Sequence, residues 1–327
     1  MSKLKIINIL QSLLIVGLIL IIAGLLLIRK NTDSEMVPAS LEASETKPKD
    51  IEIIEEETEI IYETTGQKIL LRDSAYGEIW IPVLADVPAC TYQQDNFITR
   101  NNLTYYLEDE KITSKFGIDV SAHQGAIDWQ TVKNSGVEFA MIRLGYRGYS
   151  GGKIVIDEYF ERNLQGAQAA GIDVGVYFYS QAITTEEAVE EAQTVLSVLG
   201  DRELTYPVVY DWEIVTTDIA RTDNVSVKTL TDCSIAFCEC IKQAGRTPMI
   251  YQNKRTSLLK LDLPELTDYD FWLAEYNDKA TYYYNYQMWQ FASDGSVPGI
   301  SGDVDVNVCF KNYDTEKSDE REDKTAT

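Results

Sequence analysis

From Phe116 to about residue 311, short apolar runs alternate with segments whose apolar residues recur at helical spacing. The runs FGIDV, EFAMIRL, IDVGVYFYS and YPVVYDWEI are strand-like, and longer stretches such as TTEEAVEEAQTVLSVLG are helical and begin with a capping threonine. Strands that alternate with helices predict a mainly parallel sheet. Five such units, followed by about three strands without long helices, predict an α/β fold that closes as a modified (β/α) barrel.

The first thirty residues have a different pattern. Residues 6–28 form an apolar run of the length that a membrane-spanning helix needs, and no clear cleavage site follows it. The sequence therefore predicts an uncleaved single-pass anchor. Lys3 and Lys5 before the run are balanced by Arg29 and Lys30 after it, so charge does not set the orientation. The acidic stalk and the large domain that follow favour export, with the N-terminus inside.

The chain divides into five predicted regions. They are a cytoplasmic N-terminus with the transmembrane anchor (1–30), an acidic flexible stalk (31–62), a short β-rich segment (63–112), a barrel (113–313) and a polar disordered tail (314–327). The segment 63–112 shows no chemistry of its own. A spacer that packs on the barrel and an independent binding unit are equally compatible with its pattern.

Composition narrows the function classes. The 327 residues carry a formal net charge of −23, which argues against a nucleic-acid partner because phosphate would be repelled. His123 is the only histidine and no CxxC pair exists, so a zinc site is not expected. The five cysteines are too few and too irregular to indicate a disulfide framework.

Carboxylates stand at the ends of several predicted strands. In YPVVYDWEIV, Asp211 and Glu213 are two positions apart and so point to the same side of a strand, while Trp212 points to the other. The first barrel strand ends in Asp119, and the last carries Asp303 and Asp305. Because barrel sites form at the carboxyl ends of strands, we expect these acids to meet at one mouth.

Such a cluster fits glycosidic bond cleavage, which uses one carboxylic acid as a proton donor and an ionised partner near the developing positive charge. Mutual repulsion and burial raise the pKa of one acid, as a donor requires. Aromatic side chains near the strand ends could carry sugar rings, although each taken singly is more typical of the core of a barrel. An acid pair alone could also cap a helix, bind a cation or face solvent.

The quoted segments resemble glycoside hydrolase family 25, the Chalaropsis-type lysozymes or N-acetylmuramidases. GIDVSAHQGAIDW, FAMIRLGYRG, YPVVYDWE and MWQFASDGSVPGISGDVDVNVCF appear in the family's order over about residues 116–311. The resemblance implies a (β/α)5(β)3 barrel. It also implies hydrolysis of the β-1,4 bond between N-acetylmuramic acid and N-acetylglucosamine in peptidoglycan, without a metal or organic cofactor.

Carried over to this chain, the resemblance makes Glu213 the proton donor, Asp211 its partner carboxylate, and Asp119 and Asp305 supporting acids. The retaining, inverting or substrate-assisted course stays open. Expected substrate-binding residues are Tyr146, Tyr177, Tyr179, Tyr276, Trp289 and Gln290. The hypothesis is a membrane-anchored muramidase whose partner is the peptidoglycan glycan strand. The alternatives are a non-catalytic wall-binding module on the same barrel and a glycosidase for a different N-acetylated polysaccharide.

Overall fold

The computed structural model describes residues 62–73, 76–100 and 103–313. The predicted anchor at 6–28, the stalk up to residue 61 and the tail 314–327 lie outside these residues. Across the described ranges, no helix has both the length and the apolar character to span a bilayer.

The elements follow the predicted alternation closely. Before the barrel come β1 (Thr64–Asp73), β2 (Gly77–Leu84), β3 (Phe97–Arg100), β4 (Leu103–Glu108) and β5 (Lys111–Ile112). The barrel region contains β6 (Lys115–Val120), α1 (Trp129–Asn134), β7 (Phe139–Arg147), β8 (Ile154–Ile156), α2 (Phe160–Ala169), β9 (Asp173–Ser180), α3 (Thr185–Leu199) and β10 (Val208–Trp212). It continues with α4 (Val227–Gln243), β11 (Pro248–Asn253), α5 (Lys254–Lys260), β12 (Asp270–Ala274), β13 (Met288–Gly295) and β14 (Val304–Cys309).

Eight of these strands close into a barrel. The hydrogen-bonded order is β6, β14, β13, β12, β11, β10, β9, β7, and β6 pairs back to β7, while β8 pairs only along the far end of β7. All neighbours run parallel except β14, which is antiparallel to both β13 and β6. Five strand–helix units followed by three strands without α-helices confirm the predicted modified barrel.

Local sequence explains the helix ends. The side chain of Thr184 accepts a hydrogen bond from the Glu187 backbone N–H at 3.3 Å, and the Glu187 carboxylate accepts from the Ile183 N–H at 2.9 Å. Together they satisfy donors that the first turn of α3 leaves unpaired. Gly200 ends the helix with a positive φ of 53°, which glycine adopts without steric cost.

Strand alternation separates two apolar cores. Met141, Val209 and Met288 point into the barrel with other inward residues, and the larger core lies outside the sheet, under the helices. On β13, Met288 and Gln290 therefore point inward, whereas Trp289 points outward. The outward side of β12–β14 has no α-helix to cover it.

The segment before the barrel covers that side. We call its described residues, 62–73, 76–100 and 103–112, the N-terminal cover. Phe97 contacts Trp289 edge to face, with ring centroids 5.4 Å apart, and Tyr92 stacks on Phe310 at 4.0 Å. Backbone hydrogen bonds of 2.8 Å also join Cys90 and Pro88 to the chain between β12 and β13. The cover packs on the barrel where helices are missing.

Candidate active site

A groove of about 190 Å³ opens at the carboxyl ends of the parallel barrel strands. It brings together eight of the ten residues predicted for the site: Asp119, Asp211, Glu213, Asp305, Tyr177, Tyr179, Tyr276 and Gln290. The other side chains that line it are Ser121, His123, Gln124, Arg143, Tyr251 and Trp272. The four carboxyl groups come from β6, β14 and the end of β10, so distant parts of the chain converge as expected.

The end of β10 presents two carboxyl groups to the groove. Asp211 and Glu213 face inward and Trp212 outward, as the alternation predicts. The backbone is held firmly, because Gln252 Nε2 and Gln181 Nε2 donate to the carbonyl oxygens of Trp212 and Glu213, each at 2.8 Å. Asp211 is only 5% exposed, whereas Glu213 lies closer to solvent.

These two carboxyl groups are hydrogen-bonded to each other. Burial, followed by the charges of Glu213 and Asp119, raises the pKa of Asp211 well above its usual range. Burial also raises the pKa of Glu213, and the hydrogen bond from Asp211 works against that rise. Of the two groups, Asp211 has the more strongly raised pKa. Asp211 Oδ1 is buried and accepts no hydrogen bond from an N–H or hydroxyl group of the described residues.

Asp119 and Asp305 form the second carboxyl pair. They stand directly opposite each other in the antiparallel pairing of β6 with β14. The expectation that the last strand ends in its acids is wrong, because Asp305 lies at the beginning of β14. It reaches the same rim because β14 runs in the opposite direction to its neighbours. Asp303 is exposed and does not line the groove.

The surroundings of this pair give its two acids different pKa values. Burial raises the pKa of Asp119 to about 6, while hydrogen bonds from Asn307 and Gln290 oppose the rise. Burial and the Asp119 charge raise the pKa of Asp305 to about 8. The pKa of Asp305 is therefore raised further than that of Asp119.

Two predicted substrate-binding residues do not line the groove. The prediction for Trp289 is wrong, because this side chain is 1% exposed, points away from the barrel interior and donates its Nε1–H to the Glu275 carbonyl at 2.9 Å. Tyr146 lies beyond an irregularity in the β7–β9 register, and its ring packs against the Arg143 guanidinium, 5.4 Å from the centroid. A sugar ring has no access to Trp289.

Sequence reasoning missed several residues that line the groove or bind its acids. Tyr251 and Trp272 occupy the inward positions of β11 and β12 next to Asp211, and Asn307 follows Asp305 at the same strand parity. Their signal was the two-residue period along β11, β12 and β14. Arg143 was detectable as a cation within the apolar run of β7. Its Nε donates to Asp157 at 2.8 Å while the guanidinium lines the acidic groove.

A closed α/β barrel whose mouth holds two carboxyl pairs among tyrosines has the chemistry of a glycoside hydrolase. Residues 118–300 match the family model for glycosyl hydrolases family 25. The chain belongs to this family. The N-terminal cover lies outside the matched region.

Relatives agree with this assignment. The chain is 27% identical over 193 residues to the autolytic lysozyme of Clostridium acetobutylicum, covering 58% of this chain and 54% of that protein. It is 29% identical over 207 residues to YegX of Escherichia coli K12, an uncharacterised protein, covering 59% and 68% of the two chains.

Solved structures share the fold. The autolysin LytC of Streptococcus pneumoniae aligns with a TM-score of 0.54 at 24% identity, covering 76% of this chain and 57% of that chain. A family 25 glycosyl hydrolase of Bacillus anthracis aligns with a TM-score of 0.52 at 20% identity, covering 65% and 96%. The chain thus spans little more than half of LytC.

Proposed function

We propose that this protein is a membrane-anchored muramidase that hydrolyses the β-1,4 bond between N-acetylmuramic acid and N-acetylglucosamine in peptidoglycan. The observation that carries the proposal is the pair of hydrogen-bonded carboxyl groups, Asp211 and Glu213, at the mouth of a family 25 barrel. The relationship to a clostridial autolytic lysozyme supports peptidoglycan as the substrate.

Glu213 is the proposed proton donor because it lies nearer the mouth than Asp211. A donor must hold a proton and reach the glycosidic oxygen. In the free protein Asp211 has the more strongly raised pKa, so a proton held there has to move across the hydrogen bond before Glu213 can act. Once it moves, Glu213 is an acid and Asp211 is a carboxylate.

Substrate binding offers a reason for that transfer. The buried Oδ1 of Asp211 lacks a donor, and an N-acetyl sugar brings an amide N–H to the site. A hydrogen bond from this N–H would stabilise ionised Asp211 and shift the proton to Glu213. Binding of an N-acetylated substrate would thereby favour the protonated form of Glu213, which the acid catalyst needs. Ionised Asp119 would stabilise the positive charge that develops on the sugar.

The test is Glu213→Gln in the full-length chain, which keeps the side-chain size and removes the acid. Reducing sugars released from purified peptidoglycan should fall by about 10²- to 10⁴-fold. Glu158→Gln is the matched control, since Glu158 is exposed and outside the groove, and it should retain parent activity. Parent-level release by Glu213→Gln would reject the assigned donor. Wall binding without any cleavage by the parent would favour a binding module.

The membrane location is proposed from the apolar run at 6–28, with the catalytic barrel outside the cytoplasm. The acidic stalk would keep the barrel close to the membrane, on the inner layers of the wall. Protease added to intact cells should digest the barrel. In fractions of untreated cells, the full-length protein should be found with the membranes. Recovery of a form lacking residues 1–28 from the medium would contradict the anchor.

A further inference from the structure

Two side-chain amides converge on one oxygen of Asp119. Gln290 Nε2 and Asn307 Nδ2 both donate to Asp119 Oδ2 at 2.8 Å. All three side chains are buried, so water does not substitute for these hydrogen bonds. An amide can meet a carboxyl group through its NH2 or through its oxygen, and only the NH2 stabilises the ionised form.

Neighbouring donors decide which end each amide presents. Trp272 Nε1 donates to Asn307 Oδ1 at 2.8 Å, and an indole N–H can only donate. Asn307 must therefore turn its oxygen to Trp272 and its NH2 to Asp119. The hydroxyls of Tyr251 and Tyr276 donate to Gln290 Oε1 at 2.8 and 2.9 Å. Both amides are thus oriented by a second layer of side chains.

We propose that Gln290 and Asn307 are positioning residues that keep Asp119 ionised and leave the proton of the Asp119–Asp305 pair on Asp305. This deepens the function proposed above and relies on it only where activity is measured. The geometry supports it, because Oδ2 already accepts two N–H donors and a proton there would face both. The hydrogen bond between the two acids lowers the pKa of Asp119 and raises the pKa of Asp305, in agreement with a proton on Asp305.

Other ionisable groups also surround the Asp119 carboxyl group. The acids are Asp305 on β14 and Asp211 and Glu213 at the end of β10. The remaining titratable or charged groups that line the groove are His123 after β6, Arg143 on β7, Tyr177 and Tyr179 on β9, Tyr251 on β11 and Tyr276 after β12. Mutual repulsion prevents all four carboxyl groups from ionising together. The two amides offset that repulsion at one chosen carboxylate, which is then ready to face a positively charged sugar centre.

The activity test compares Gln290→Met and Asn307→Leu with the parent full-length chain over a pH series. Loss of one donor should raise the pKa of Asp119 and move the acidic limb of kcat/KM upward by roughly one pH unit. Activity on peptidoglycan would fall about tenfold at acidic pH and much less on the plateau. A defect limited to folding would lower activity equally at every pH.

Gln287→Met is the matched control. Gln287 precedes β13 at the opposite end of the barrel and accepts from the Phe271 N–H at 2.7 Å, so its loss should leave the pH profile in place. Trp272→Phe keeps a ring but removes the N–H that orients Asn307, and it should shift the limb in the same direction by a smaller amount. An unchanged limb in folded Gln290→Met and Asn307→Leu proteins would overturn the proposal.

A second measurement needs neither activity nor a destabilised variant. Carboxyl-carbon NMR titration of the parent chain labelled at aspartate should show Asp119 losing its proton at lower pH than Asp305. Asp119→Asn and Asp305→Asn would assign the two signals. If Asp305 ionises first, the positioning role is wrong even when the muramidase is active. If the expected order is found in an inactive protein, the proposed function fails and the positioning role stands.

Discussion

Trp289 and Gln290 are neighbours on β13, yet they belong to two regions with opposite requirements. Gln290 faces the groove, where carboxyl groups are crowded and have raised pKa values. Trp289 faces the N-terminal cover, where aromatic side chains pack in a dry interface. Crowded acids reduce stability, whereas buried aromatic surface adds to it. The comparison indicates that packing of the cover offsets the stability lost to crowded carboxyl groups on the other face of the same strands.

The largest expected effect comes from removing the cover. A chain of residues 113–313 alone would expose Trp289, Phe310 and Phe116, each worth roughly 1.5–3 kcal/mol of burial, against a total stability of about 5–15 kcal/mol. We expect this fragment to be insoluble or to lack a cooperative thermal transition. A matched fragment of residues 62–313 should unfold cooperatively. Similar melting temperatures for the two fragments would show that the cover is dispensable.

The next effect tests the two sides of β13 separately. Trp289→Ala should lower the free energy of unfolding by about 3–5 kcal/mol, because it leaves a cavity under Phe97. Activity per folded molecule should change little, since Trp289 does not line the groove. Denaturant unfolding and an activity assay on the same samples measure both quantities.

Trp80→Ala is the control for that substitution, because Trp80 is 58% exposed on β2. The same chemical change there should cost less than about 0.5 kcal/mol. If Trp289→Ala does not fold, Trp289→Phe keeps a ring against Phe97 and loses the hydrogen bond to Glu275 and part of the buried indole surface, so it should cost about 2 kcal/mol. A specific loss of catalysis in a stable Trp289 variant would contradict the separation of the two regions.

The contrast also shows where sequence prediction succeeded. Eight barrel strands, and the shared direction of Asp211 and Glu213, depend on periodicity within a few residues. The environment of Asp119 depends instead on Gln290 and Asn307, which lie 171 and 188 residues away. Register between β6, β14 and β13 is a property of barrel closure and is not encoded in any one segment.

Trp289 was misplaced for a related reason. The two-residue period predicts that Trp289 and Gln290 point in opposite directions, but it does not predict which of them points into the barrel. That choice depends on which neighbour covers the strand. The N-terminal cover had a strand-like pattern, and its docking site on β13 was not visible, because contacts such as Phe97 with Trp289 join segments far apart in sequence.

The smallest expected effect concerns the free energy of unfolding that is lost because Asp305 has a raised pKa in the groove. The pKa of Asp305 is about 8 in the folded protein and about 4 when the chain is unfolded. The folded state thus retains a proton that the unfolded state has released, and the free energy of unfolding falls as the pH rises from about 4 to 8. Asp305→Asn cannot ionise and still carries an N–H donor for Asp119, so it removes this loss.

After allowance for the partial solvent exposure of Asp305, we expect Asp305→Asn to stabilise the protein by about 1 kcal/mol at pH 8, or roughly 2–4 °C in melting temperature, and to have little effect near pH 4. Asp303→Asn is the control, since Asp303 is exposed two positions earlier on the same segment, and it should give no pH-dependent gain. Melting curves of the three proteins between pH 4 and 8 provide the comparison. A gain that is equal at both pH values would show that Asp305 is not the protonated member of its pair.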